Sequence, residues 1–347
     1  MIPENQPIRL TQFAHGAGCG CKISPNDLRE MLQGLRKSTV GELLVGNAEN
    51  DDAAAWNLGD GRALISTTDF FMPIVDSPSD FGAIAAANAI SDVYAMGGKP
   101  FMALAILGWP IGKIPASVAA EVMQGASEIC AKAGVVLAGG HTIDSPEPIF
   151  GLSVNGFCDI VHLKRNNTAK VGDYLYLSKP LGTGILSTAA KRGTLFHPAD
   201  AEPAIESMKK LNTSGFAVGK IEAVHAMTDI TGFGLAGHLL EMLADSGCSA
   251  EINMQAIPVF DTLKPYVDAF VYPDMTMRNY NNIKAQCSEL DGTALLTLCD
   301  PQTSGGLLIS VAESGKNAVE EILRNAGEYD QPIGRLIPIA DKAIFVR

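Results

Sequence analysis

The run DFGAIAAANAISDVYAMGG, Asp80 to Gly98, decides the fold class. Between Phe81 and Met96 the one formal charge is Asp92, and alanine occupies positions 83, 85, 86, 87, 89 and 95. Alanine favours helix, and its small side chain lets neighbouring elements approach closely. The run therefore reads as a helix from about Asp80 to Met96, stopped by Gly97-Gly98-Lys99-Pro100. Strand-like runs flank it, Arg62 to Thr67 before and Phe101 to Leu107 after, with Asp69 just past the end of the first. A helix over Ser117 to Ala133 follows. Next come a strand over Val135 to Ala138 that ends in Gly139-Gly140-His141-Thr142, and a strand over Ile149 to Cys158.

The amino-terminal segment reads as a short strand, Ile8 to Phe13, entering a glycine loop, then a helix from Ser24 whose apolar stripe is Leu28, Met31, Leu32 and Leu35. Polar residues from Lys164 to Lys170 look like a linker. Beyond it the idea repeats. A strand at Tyr174 to Ser178 leads to a helix opened by Leu181-Gly182-Thr183-Gly184. Helical runs follow near Glu202 to Leu211 and Ser214 to Ala223. Met227-Thr228-Asp229 then turns through Thr231-Gly232-Phe233-Gly234 into a helix reaching Ala244. A strand to Val311, a helix near Asn317 to Asn325 and a strand at Ala343 to Val346 complete the chain. The pattern is strand, carboxylate or glycine turn, helix, in two halves. The expected boundaries are a flexible arm 1–23, a domain 24–162 and a domain 163–347.

The composition fits a two-domain globule: 347 residues, 47% hydrophobic and 18% charged. A net charge of −12 argues against a nucleic-acid or anionic-membrane surface, so a phosphate ligand must be held locally. Met1 to Leu10 has no apolar core of a signal peptide, and no run reaches the length of a membrane span. Seven scattered cysteines suit a reducing cytoplasm better than a disulfide framework. Cys130 and Cys158 read as small core residues, and the same reading covers Cys248, Cys287 and Cys299.

Two groups carry chemistry. The loop His15-Gly16-Ala17-Gly18-Cys19-Gly20-Cys21-Lys22 sets a thiol three residues from an ammonium on a backbone free to fold over an anion. Cys19 reads as a nucleophile or carrier of a soft atom. Lys22 would lower its pKa or hold a phosphate. The loop is no Walker A motif, because Cys21 separates Gly20 from Lys22 and Ile23 follows. Nor does Cys-x-Cys close a structural zinc site. The second group is acidic: Asp51, Asp52, Asp69 and Asp92 from the first half and Asp229 from the second. A lone carboxylate on a helix as apolar as that bearing Asp92 is costly to bury without a cation. Such aspartates, with Gly140-His141-Thr142, would make an ATP–magnesium site between the halves without a P-loop.

Taken in order, these segments resemble the selenophosphate synthetase (selenide, water dikinase) family. The match runs through HGAGCGCK at 15–22, DDAA at 51–54, STTDFF at 66–71, NAISDVYAMGG at 88–98, AGGH at 138–141, MTDITGFG at 227–234 and DPQTSGG at 300–306. The later motifs also resemble the wider aminoimidazole ribonucleotide synthetase-like ATP-binding superfamily; the Cys/Lys loop singles out the selenium enzymes. The resemblance implies an α+β or α/β fold of two domains, with N-terminal sheets paired into a barrel in a homodimer. It implies a cytoplasmic transferase that converts ATP, selenide and water into selenophosphate, AMP and phosphate, for selenocysteine and selenouridine synthesis. By the same resemblance Cys19 and Lys22 are catalytic, and Asp52, Asp92 and Asp229 are magnesium ligands. Lys22, Glu49, Asn50, Asp51, Asp69, Asp92, Gly140, His141 and Thr142 would contact ATP. A potassium requirement and a selenium-delivery protein are further implications. The rival readings are another ATP-dependent synthetase or kinase of the superfamily, and a thiol-redox or metal-delivery protein.

Overall fold

In the computed structural model, which describes residues 8–21, 30–31, 40–46 and 51–347, two six-stranded sheets form the two halves. The first holds β1 (Leu43–Val45), β2 (Ala54–Asn57), β3 (Arg62–Phe71), β4 (Lys99–Trp109), β5 (Val136–Asp144) and β6 (Ile149–Asp159), in spatial order β1-β2-β3-β6-β4-β5. Its pairs are antiparallel except β4 with β5. A parallel pair needs a crossover, and helix α2 (Ala116–Ala133) supplies it.

The alanine-rich run forms helix α1 (Pro78–Ala95), with Ser77 as N-cap accepting from the Asp80 amide and Pro78 at its start. It is buried from Phe81 onward, and the close approach expected of so small a surface is realised against α2. A Cβ on Gly82 would lie 1.8 Å from the Val122 carbonyl oxygen, and one on Gly125 would lie 1.9 Å from that of Ser79. Glycine at these two positions lets the helix backbones touch.

The second sheet holds β7 (Tyr174–Leu177), β8 (Val224–Asp229), β9 (Cys248–Ile252), β10 (Leu307–Val311), β11 (Pro332–Pro338) and β12 (Ile344–Val346), in order β12-β9-β11-β7-β10-β8. Around it lie α3 (Thr183–Arg192), α4 (Glu202–Lys209), α5 (Ser214–Val218), α6 (Gly234–Leu243), α7 (Lys264–Asp268), α8 (Asp274–Ile283), α9 (Gly292–Leu298) and α10 (Lys316–Asn325). Ala95, at the end of α1, belongs to a core cluster with Tyr176, Met227 and Leu307 of this second half.

Several expectations need correction. Ile8 to Phe13 is not a strand; Leu10–Phe13 forms a 3-10 turn. There Asp76 accepts from the Thr11 amide at 3.0 Å and pairs with Arg9 at 2.7 Å, which replaces sheet pairing by side-chain bonds. Asp69 lies inside β3 rather than past its end, because pairing with β6 continues to Phe71 opposite Phe150. Likewise β5 runs on through Gly139-Gly140-His141-Thr142, paired with Ala105 to Leu107 of β4. The polar stretch 164–170 is not loose. Lys164 is buried, its Nζ donating to the carbonyls of Ile221 and Val224, and Arg165 donates to the carbonyl of Leu44. The helix expected from Ser24 lies mostly outside the described residues.

Candidate active site

The site is built from period-two and period-four placement. Along β3 the alternate residues Ala63, Ile65, Thr67, Asp69 and Phe71 face α1. On α1, Asn88 and Asp92 are four apart and share a face. Strand and helix therefore meet in two rungs. Thr67 Oγ1 donates to Asp92 Oδ2 at 2.5 Å, and Asn88 Nδ2 donates to Asp69 Oδ2 at 2.6 Å.

Asn88 also reaches the cysteine loop. Its Oδ1 accepts from Cys19 Sγ at 3.2 Å and from the Ser304 amide at 2.8 Å. Cys19 is 1% exposed, and its amide donates to Thr303 Oγ1 at 3.0 Å. The thiol thus stands one amide away from Asp69. Lys191, near the end of α3, holds the loop from outside by donating to the carbonyls of Ala14 and Gly16.

The second half supplies the opposite wall. Edge strand β8 ends in Thr228 and Asp229, and Thr228 Oγ1 donates to Asp52 Oδ1 at 2.7 Å. Asp51 accepts from the amides of Asn166 and Asp52. Burial pushes the Asp52 carboxyl well above its ordinary range, and the charges of Asp229, Asp51 and Asp92 push it further. Four of the five expected carboxylates therefore share one buried field.

Asp52 Oδ2 is buried and meets no hydrogen-bond donor among the described residues. A hard carboxyl oxygen left without a donor here suits a divalent cation such as magnesium, whose charge would offset the neighbouring acids. No three His, Cys, Asp or Glu side chains among the described residues form a ready-made metal-holding group.

The segment 300–306 forms the floor. Ser304 has φ +48°, a left-handed conformation that L side chains rarely adopt. It is held from both sides: its amide donates to Asn88, and its carbonyl accepts from Lys179 Nζ at 3.0 Å. Lys179 is fully buried, and burial lowers its pKa to about 7. Asp300 and Gln302 hold the start of α3. Gln302 Oε1 accepts from the amides of Gly182 and Thr183, and Asp300 Oδ2 accepts from that of Gly184. Burial raises the Asp300 carboxyl to about 8.

Gly140, His141 and Thr142 are not brought to this cluster within one chain. They sit exposed on edge strand β5, three strand spacings from β3, roughly 14 Å at about 4.8 Å per strand. Lys22, Glu49 and Asn50 lie outside the described residues. Sequence reasoning left Thr67, Asn88, Thr228 and Lys191 without site roles. Two of them were reachable, since Thr67 is two residues from Asp69 in a strand and Asn88 is four from Asp92 in a helix. The thiols of Cys130, Cys158, Cys287 and Cys299 are core groups, as expected, and burial raises their pKa values to about 11 or 12.

Two mixed sheets clasping carboxylates from both halves define a two-domain protein of the AIR synthase related type. Residues 50–158 match the N-terminal domain of AIR synthase related proteins, and residues 170–346 match the C-terminal domain. A solved ThiL complexed with AMPPCP and TMP shares the fold, with TM-score 0.70 at 18% identity over 93% of either chain. The selenide, water dikinase of Colwellia psychrerythraea is 53% identical over 331 residues, covering 95% of this chain and 96% of its own. That of Pseudomonas putida is 51% identical over 343 residues, covering 99% of each. The chain belongs to the selenide, water dikinase family.

Proposed function

We propose that this chain makes selenophosphate from ATP, selenide and water, releasing AMP and phosphate. The observation that carries the reading is the relay from Cys19 through Asn88 to Asp69, which joins the thiol to the acidic wall. A thiol-redox protein, or one delivering metal through its thiols, would leave that wall idle. A synthetase acting on an oxygen nucleophile has none for the thiol.

Asp52, Asp92 and Asp229 would hold magnesium, which supplies charge neutralisation to a triphosphate when bound. The chain's own groups do the rest. Thr67 and Thr228 orient Asp92 and Asp52 by donating to them. Asp51 and Asp69, with Lys22, Glu49 and Asn50, would contact the nucleotide. Cys19 accepts or orients selenium, and the glycine loop keeps water from the γ-phosphate until selenide has reacted.

The homodimer belongs to the same proposal. One face of the first sheet is covered by α1 and α2, while Trp56, Phe70 and Leu104 stand exposed on the other and Val136 and Ile143 on β5. A second copy packed there would close the sheets into a barrel and hide these side chains. It would also bring Gly140, His141 and Thr142 of one protomer toward a nucleotide held by the other. The boundaries 1–23, 24–162 and 163–347, a potassium requirement, a selenium-delivery partner and a cytoplasmic location complete the reading. No helix among the described residues is long and apolar enough to cross a membrane.

Incubation with ATP, magnesium and selenide, followed by phosphorus NMR, tests the activity. A selenium-coupled phosphorus signal rising with AMP is expected. Hydrolysis to ADP with no such signal would overturn it.

A further inference from the structure

A cavity of about 390 Å³ has the cysteine loop as one wall, with Gly16, Ala17 and Gly20 facing Pro301 and Thr303. Neither Cys19 nor any of Asp51, Asp52, Asp69, Asp92 and Asp229 lines it. Loop residues on either side of Cys19 do, while Cys19 Sγ turns to Asn88, which holds Asp69. Thr303 belongs to both sides, since it lines the cavity and its Oγ1 accepts from the Cys19 amide.

The lining also carries three basic side chains. Lys191 and Arg192 come from the end of α3, and Arg278 comes from α8. Lys191 is turned onto the loop carbonyls. Arg192 lies 3.6 Å from Asp274, whose side chain is 93% exposed, a pairing weak in water. Arg278 pairs with no carboxylate among the described residues. Asp274 is the one acidic side chain on the lining. In a chain of net charge −12, three cations around one opening focus a local positive potential.

We propose that this cavity is the entrance by which the selenium substrate, as the hydrogen selenide anion, reaches Cys19. The inference rests on the selenophosphate reading above. Hydrogen selenide is a monoanion at neutral pH, and the acidic wall repels it. An entrance behind the loop lets the two anionic reactants approach Cys19 from opposite sides, each through a field that attracts it.

The test is the double variant Arg192→Gln/Arg278→Gln, since neither side chain is bonded to the five site aspartates or to Cys19. Initial rates are measured anaerobically against selenide at saturating ATP, then against ATP at saturating selenide, at low and high salt. At low salt, kcat/KM for selenide is expected to fall about 10-fold, with kcat and the KM for ATP unchanged. Salt should close the gap between variant and wild type, because screening weakens steering beyond about 10 Å at 0.1 M. An unchanged selenide dependence, or an equal loss toward ATP, overturns the proposal. So does a variant that changes only product inhibition by inorganic phosphate, which would give the cavity to phosphate.

Alkylation provides a readout free of turnover. Iodoacetate is anionic and iodoacetamide is neutral, and their relative rates at Cys19 are read by peptide mass spectrometry. The iodoacetate preference should drop several-fold in the variant; an unchanged ratio refutes the entrance. If the wild type makes no selenophosphate, the activity reading fails, and the alkylation ratio still decides whether anions reach Cys19 this way.

Discussion

Asn88 is the joint on which the site turns, and Asn88→Ala isolates it. The side chain is fully buried and makes three contacts: to Asp69, to the Ser304 amide and to Cys19 Sγ. The Ser304 amide would be left buried and unpaired, which costs about 1–3 kcal/mol. Asp69 is half-buried, so water partly replaces the lost donor and the penalty there is nearer ~1 kcal/mol. The thiol contact is weak and adds little. A loss of about 2–4 kcal/mol follows, read as a lower urea midpoint with unchanged slope. The variant should also free Cys19, now 1% exposed, to react faster with a thiol reagent, while the buried core cysteines stay inert. Asn88→Asp separates the contacts. It keeps an acceptor for Ser304 but sets a carboxylate against Asp69, so it should be less stable at neutral pH than at pH 5. A loss under about 0.5 kcal/mol in Asn88→Ala, with unchanged Cys19 reactivity, would refute the relay.

Three further outcomes are expected. Asp300 stays protonated in the folded chain up to about pH 8, whereas its unfolded value is about 4. Between those values the folded state binds the extra proton. Stability therefore falls as pH rises, by at most about 1.4 kcal/mol per unit, and Asp300→Asn should flatten this slope in denaturation from pH 5 to 8. Parallel slopes for the two proteins would sink the assignment. Ser304→Gly relieves the left-handed backbone and removes a buried hydroxyl that has no partner among the described residues. It should raise the urea midpoint by about 1 kcal/mol equivalent, and a fall would show that the strain is absent. Gly125→Ala puts a methyl 1.9 Å from the Ser79 oxygen, so α1 and α2 must part at a cost of about 1–3 kcal/mol, measured by the same denaturation. A neutral result would mean the two helices can part without cost.

Much of the frame was legible in the sequence because it rests on local pattern. The alanine-rich helix, its glycine stop, the flanking strands and the second α/β unit all follow from period and punctuation. So does the choice of Asp92 as a carboxylate needing a reason. What escaped depends on who sits beside whom. Strand order decides that Asp69 falls inside β3 and that His141 lies on an outer edge, and no single-strand period encodes order. The stretch from Lys164 reads as a linker because its residues are polar. In place, Lys164 and Arg165 spend that polarity on backbone carbonyls, and the Asn166 amide ties the stretch to Asp51. The partnership of Asn88 with the 300–306 turn spans 216 positions, beyond any local rule.

Helix α1 is shared property. Its middle carries Asn88 and Asp92 for one sheet, while its last alanine is embedded in the packing of the other. Neither half has a complete interior without it. Cutting the chain near residue 163 would therefore leave two fragments with raw surfaces rather than two working modules. Heating the intact protein should melt both halves in one event, since whatever loosens the helix opens both interiors and scatters the acids together.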